Sequence, residues 1–199
     1  MISQITNKVY RYLSSSGALS CNDEFENEWI RYGVELTVSS MIGIAVIMLG
    51  AALAKSFWCG IVFLLVFVPL RQLVGGYHAD SYICCNLVTI SGFAATVAAV
   101  KLGIEPPLGI GTSIAAAAFL TVLIYIISPV ENRHKPITDE RQRKLCRYAG
   151  TLAFAAMEAA SFALQQQWAD VGKAVRYTLL LVALLSFLGK FKYRKEKRL

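Results

Sequence analysis

Long apolar runs dominate the pattern along this chain, and short polar stretches separate them. Six runs stand out: about Leu36 to Leu53, Ser56 to Leu70, Ile83 to Val100, Leu108 to Ser128, Tyr148 to Leu164 and Tyr177 to Leu188. About 20 apolar residues, each rising about 1.5 Å, cross the roughly 30 Å hydrocarbon core of a bilayer. Backbone in lipid must satisfy its own hydrogen bonds, so each run predicts a transmembrane helix. The last two runs are the weakest. Glu158 interrupts the fifth, and the sixth spans only 12 residues.

The flanking segments follow helical rules as well. Ile2, Ile5, Val9 and Leu13 recur at helical spacing with Lys8 and Arg11 among them. That pattern predicts a short amphipathic helix lying on a membrane surface, broken by Ser14-Ser15-Ser16-Gly17. Asp23 and Glu26 have capping-box spacing, so a second helix starts near Asp23 and runs through Trp29 into the first span. Between spans four and five, Pro129 and Pro136 exclude helix from the first part of the loop. Thr138 can cap a new helix, with Asp139 and Glu140 at its positive end. No internal repeat is visible. The pattern predicts one all-α polytopic membrane domain over residues 1–199, with an interfacial segment (1–31), a transmembrane bundle (32–188) and a basic tail (189–199).

Charge orients this prediction. The net charge is +7, and hydrophobic residues make up 56% of the chain. If both termini lie in the cytoplasm, the inside segments hold 16 of the 20 Lys and Arg residues. That is a strong positive-inside bias, and it places the loop before the third span at the cytoplasmic face. An anionic inner leaflet accounts for the basic tail, so no nucleic-acid partner is needed. Of the five cysteines, Cys21, Cys84, Cys85 and Cys146 map to the cytoplasmic side and Cys59 does not. A disulfide framework does not suit that compartment. The N-terminus is polar, and the first apolar run begins too late and is too long for a cleavable signal peptide.

Candidate chemistry concentrates in the run from Arg71 through Gly75, Gly76, Tyr77, His78, Ala79, Asp80 and Ser81 to Cys84 and Cys85. A thiol beside an imidazole forms an activated nucleophile. Seven residues of straight helix would separate His78 and Cys85 by roughly 10 Å along the axis, too far for a hydrogen bond. The chain must therefore bend between them. Gly75-Gly76 permits a turn, and Asp80 and Ser81 are both good helix N-caps. A third span beginning at Ser81 puts Cys85 near its first turn, where the helix dipole favours an anion. The bland readings are a tight loop for the glycines, interfacial anchoring for Arg71, capping for Asp80 and packing for the cysteines. Glu158, set among Ala155, Ala156, Ala159 and Ala160, fits a substrate cavity or a close helix interface equally. Glu35 begins the first span and reads as interfacial. Arg133 and Lys135 are candidate contacts for an acidic substrate, or plain topology signals. His78, His134 and the scattered cysteines lack metal-ligand spacing, and no cofactor motif is present.

Around these residues the chain resembles the accessory gene regulator B (AgrB) family of bacterial membrane cysteine endopeptidases, which mature quorum-sensing propeptides. The match consists of Arg71, then Gly75-Gly76-Tyr77-His78-Ala79, then Cys85 seven residues after the histidine. Ser128-Pro129 and Lys135-Pro136-Ile137 resemble the family's loop before the fifth span. The resemblance covers essentially the whole chain. It implies His78 and Cys85 as the catalytic pair, with Arg71 and Gly76 at further important positions and Cys85 preferred to Cys84. It also implies a bacterial cell-membrane location, an AgrD-like propeptide as partner and a homodimer. The implied reaction is tail cleavage through an acyl-enzyme thioester, followed by closure of a thiolactone or lactone ring. A multi-pass peptide exporter without proteolysis is the alternative. A thiol oxidoreductase using Cys84-Cys85 ranks below it, since adjacent cysteines form only a strained disulfide.

Overall fold

Each apolar run folds as a helix, and the polar breaks become the turns. The computed structural model describes residues 8–9, 11–12, 15, 24–77, 81–104, 110–130 and 139–196. The helices are α1 (Glu24–Leu53), α2 (Phe57–Val74), α3 (Tyr82–Lys101), α4 (Ile110–Ile127), α5 (Glu140–Gln167) and α6 (Ala169–Glu196). The fold is all-α and polytopic. Most of the N-terminal amphipathic segment lies outside the described residues; Lys8, Val9, Arg11 and Tyr12 are helical and exposed.

Among the described residues, four helices are long and apolar enough to cross a membrane: Gly33–Leu53 within α1, Phe57–Val74, Ile83–Lys101 within α3, and Ala169–Arg194 within α6. α4 is apolar but shorter. The sixth run is thus much longer than its clean apolar stretch. Asp170, Lys173 and Arg176 occupy its first turns and Lys190 and Lys192 its last, and all lie within one continuous helix. The segment from Lys190 to Glu196 accordingly continues α6 rather than forming a separate tail. α5 is the opposite case. It is a long helix, but its apolar residues form one face, with Gly150, Phe154, Glu158 and Ser161 buried in a row.

α6 is central, packing against α2, α3, α4 and α5, while α1 packs against α2 and α3. Phe63, Phe67, Leu70 and Val74 of α2 meet Phe93 of α3, Phe154 of α5 and Leu179 of α6 in the core. Phe63 stacks on Phe67 at 5.0 Å and meets Phe93 edge-on at 5.2 Å. Lipid is as apolar as these side chains, so close packing rather than exclusion of water holds such helices together. The small residues at the seams fit that rule. A Cβ on Gly92 would lie 2.5 Å from Leu181 of α6. Large side chains such as Met41, Leu49, Trp58, Phe119 and Leu184 point outward instead.

Contacts fix the direction of the helices. Lys101 donates to the carbonyl of Ala54, so the α1–α2 turn lies beside the end of α3. At the opposite end, Asn86 donates to the carbonyl and hydroxyl of Ser39 at 3.2 and 3.1 Å, joining the start of α3 to α1. Arg147 of α5 donates to the Ser128 carbonyl at 2.9 Å, and Gly75 pairs with Val130. The helices therefore run up and down. Arg71, Cys85, Val130, Arg147 and the last turns of α6 share one end, which also carries Arg141, Lys144 and Arg194. This is the basic end of the bundle.

Candidate active site

α2 stops at Val74 because Gly75 leaves helical geometry, with φ 77° and ψ −167°. Its amide still donates to the Arg71 carbonyl at 3.1 Å. The chain then runs extended beside Val130, whose amide donates to the Val74 carbonyl at 2.9 Å. A Cβ on Gly75 would overlap the Val130 carbonyl oxygen and come within 2.9 Å of the Val130 nitrogen. Both the positive φ and the lack of space demand glycine here. Gly75→Ala is expected to lower the unfolding midpoint in detergent. The backbone penalty alone is about 1–3 kcal/mol, before the clash with Val130. An unchanged midpoint would contradict this account of the turn.

The strap Gly75–Tyr77 is held on its other side by α6. The Tyr77 amide donates to the Leu185 carbonyl at 2.8 Å. The Ser186 hydroxyl donates to the Gly75 carbonyl at 3.2 Å, across 111 residues of sequence. Lys192 lies over the Tyr77 ring, 5.3 Å from its centroid. The segment opposite is also secured. Arg147 holds Ser128 and lies 6.0 Å from the Tyr125 ring, and Lys190 reaches the Ile127 carbonyl at 3.5 Å.

α3 begins one residue after Ser81. The Ser81 hydroxyl accepts from the Cys84 amide at 3.2 Å, an N-cap contact. The Ser81 carbonyl accepts from the Cys85 amide at 3.0 Å. Cys85 therefore stands at the end of the first turn and is half-buried, whereas Cys84 is exposed. The two thiols leave the helix about 100° apart, so only one of them turns inward.

Arg71 connects the strap to this helix. Its guanidinium lies over the Phe67 ring, 5.4 Å from the centroid. One nitrogen, Nη2, donates to the Tyr77 carbonyl and also sits 3.8 Å from Cys85 Sγ. A single cation thus bridges the residue that precedes His78 and the inward-facing thiol. An Arg within hydrogen-bond range of sulfur stabilises negative charge there.

The predicted site residues divide into three groups. Arg71, Gly75, Gly76 and Cys85 come together at the basic end. His78, Asp80, Arg133 and Lys135 lie outside the described residues, as do Cys21 and His134. Glu158 lies elsewhere. Gly150 of α5 is level with Leu73 and Val74, and Glu158 is eight residues further along, about 12 Å by helical rise. There it is buried within electrostatic reach of Arg176, which bonds Gln165 and lies 4.8 Å from the Phe162 ring centroid. Cys59 is buried towards that same far end, within electrostatic reach of Asp170 and Lys101. Among the described residues, no group of three or more His, Cys, Asp or Glu could hold a metal ion. Sequence reading missed Val130, Leu185, Ser186 and Gly189 as parts of this site. For Ser186 and Gly189 the one signal was a small residue within an apolar helix; Val130 and Leu185 carried none.

The family model described as accessory gene regulator B matches residues 3–191. The chain belongs to the AgrB family. AgrB proteins are membrane proteins that process quorum-sensing propeptides, and the long apolar helices suit a membrane setting. No curated protein and no solved structure matches the chain.

Proposed function

We propose that this AgrB-family protein is a membrane-embedded cysteine endopeptidase and cyclase, acting as one domain at the cytoplasmic face of a bacterial cell membrane. The observation that carries the reading is the Arg71 bridge: one guanidinium nitrogen joins the Tyr77 carbonyl to Cys85 Sγ. It ties the chain leading into His78 to Cys85 and not to the exposed Cys84.

The reaction then divides into two acyl transfers. His78 takes the thiol proton, and Cys85 Sγ attacks the carbonyl carbon of the propeptide bond. The carbon–nitrogen bond breaks, and the tail leaves as an amine carrying the proton from His78. The propeptide core remains as a thioester on Cys85. A thiol or hydroxyl within the same peptide attacks that thioester, its proton passes to Cys85, and a thiolactone or lactone ring closes. Thioester exchange is nearly balanced in energy, so the ring-closing step needs no nucleotide. Holding the peptide's own nucleophile close makes closure faster than hydrolysis.

Arg71 holds the strap and the Cys85 sulfur in one geometry through attack and acyl transfer. With Ser81 as the cap of α3, the role assigned to Asp80 is to orient His78. Arg133 and Lys135 extend the basic end towards an acidic part of the propeptide. The reading includes a homodimer with one such site in each copy. Glu158, a layer away, is assigned to packing of α5 on α6.

Purified protein in detergent, given propeptide and no ion gradient, is expected to release the tail. Neutral hydroxylamine added during turnover should divert the core to a hydroxamate, the product of thioester capture. Peptide movement across sealed vesicles without cleavage would instead support the exporter reading.

A further inference from the structure

We propose that α6 positions the histidine of the active site, with Ser186 and Gly189 as its positioning residues. The proposal rests on the reading of His78 and Cys85 as the reacting pair. Between the end of α2 and His78 the chain has three residues, two of them glycines. Such a strap has no side-chain preference of its own to fix its path. Its path is set by what it touches.

Leu185, Ser186 and Gly189 fall on one face of α6, at positions i, i+1 and i+4. Each touches a different part of the strap. The Leu185 carbonyl accepts from the Tyr77 amide, and the Ser186 hydroxyl donates to the Gly75 carbonyl. Gly189 lets the two backbones approach. A Cβ there would lie 2.6 Å from the Gly76 carbonyl carbon and 2.7 Å from the Tyr77 nitrogen. Both are backbone atoms, so the strap itself would have to shift. Leu185 is 5% exposed and Ser186 0%, which keeps water from competing for these bonds. α6 thus sets where the chain enters His78.

The test compares full-length proteins in detergent: wild type, Gly189→Ala, Ser186→Ala, His78→Ala, Cys85→Ala and the control Gly33→Ala. Gly33 has no atom within 4 Å of an added Cβ. Propeptide cleavage gives kcat and KM. Mass spectrometry of the Cys85 peptide after iodoacetamide gives the alkylation rate of that thiol against pH.

Gly189→Ala is expected to lose about 10–100-fold in kcat with KM little changed, because a displacement of about 1 Å misaligns a catalytic group. Its alkylation profile should follow that of His78→Ala. Ser186→Ala, losing one hydrogen bond, should lose about 3–10-fold in kcat. Gly33→Ala should match wild type. A folded Gly189→Ala protein with wild-type kcat, or with a wild-type alkylation profile, overturns the proposal. If Gly189→Ala does not fold, Ser186→Ala decides, and wild-type kcat there overturns it. Cleavage that persists in His78→Ala or Cys85→Ala overturns the reading of the site, and this inference with it.

Discussion

Cys85→Ala is expected to abolish propeptide cleavage, and Cys84→Ala to leave it within about twofold of wild type, because of these two thiols it is Cys85 that reaches Arg71. The expected loss at Cys85 is on the order of 10⁴-fold or more, since removing a covalent nucleophile leaves only binding and general stabilisation. The two residues are neighbours with the same side chain, so composition and burial in lipid cannot explain a difference between them. Their directions can. Cys84 is exposed, and its amide is used in the Ser81 cap. Cys85 turns inward, 3.8 Å from the guanidinium. The measurement is tail release by each purified variant, with unfolding midpoints in detergent to show that both remain folded. Comparable losses in both variants, or activity in Cys85→Ala alone, would sink the assignment of Cys85.

The residues that were legible in sequence are those whose causes are local. Ser81 reads as a cap because a hydroxyl precedes an apolar run, and it does cap α3. Gly75 reads as a turn because two adjacent glycines interrupt that run, and its φ is positive. Arg71 and Cys85 stand 14 residues apart, and a single bend between two helices brings them together. The partners of the strap have distant causes. Val130 joins Gly75 through backbone bonds, which any side chain would allow, so its identity carries no signal. Ser186 is 111 residues from Gly75, and a serine in an apolar helix commonly bonds its own backbone.

The last two apolar runs are shorter than the helices that contain them: charged first and last turns extend α6 beyond its clean apolar stretch, and α5 carries its apolar residues on one face. The small neighbours of Glu158 mark it as buried, and it is, but burial does not say which layer of the bundle it occupies.

Arg71→Ala is expected to lose about 10–150-fold in cleavage, even though the residue donates no proton and attacks nothing. A hydrogen bond from a charged donor contributes about 1.5–3 kcal/mol, and about 1.4 kcal/mol corresponds to tenfold in rate. The bond to Tyr77 fixes the strap, and the guanidinium lies 3.8 Å from the sulfur that attacks, so both halves of the bridge act on the reacting state. Arg71→Lys separates them. An ammonium keeps the charge but lacks the planar fork, so it cannot serve the Tyr77 carbonyl and the thiol in the same geometry. Lysine should therefore recover only part of the loss, on the order of threefold to tenfold. If the guanidinium served only as an anchor at the membrane interface, lysine would replace it fully, since either side chain can extend to the headgroups. Full activity in Arg71→Lys would thus remove the bridge from the mechanism, and full activity in Arg71→Ala would remove Arg71 from the site.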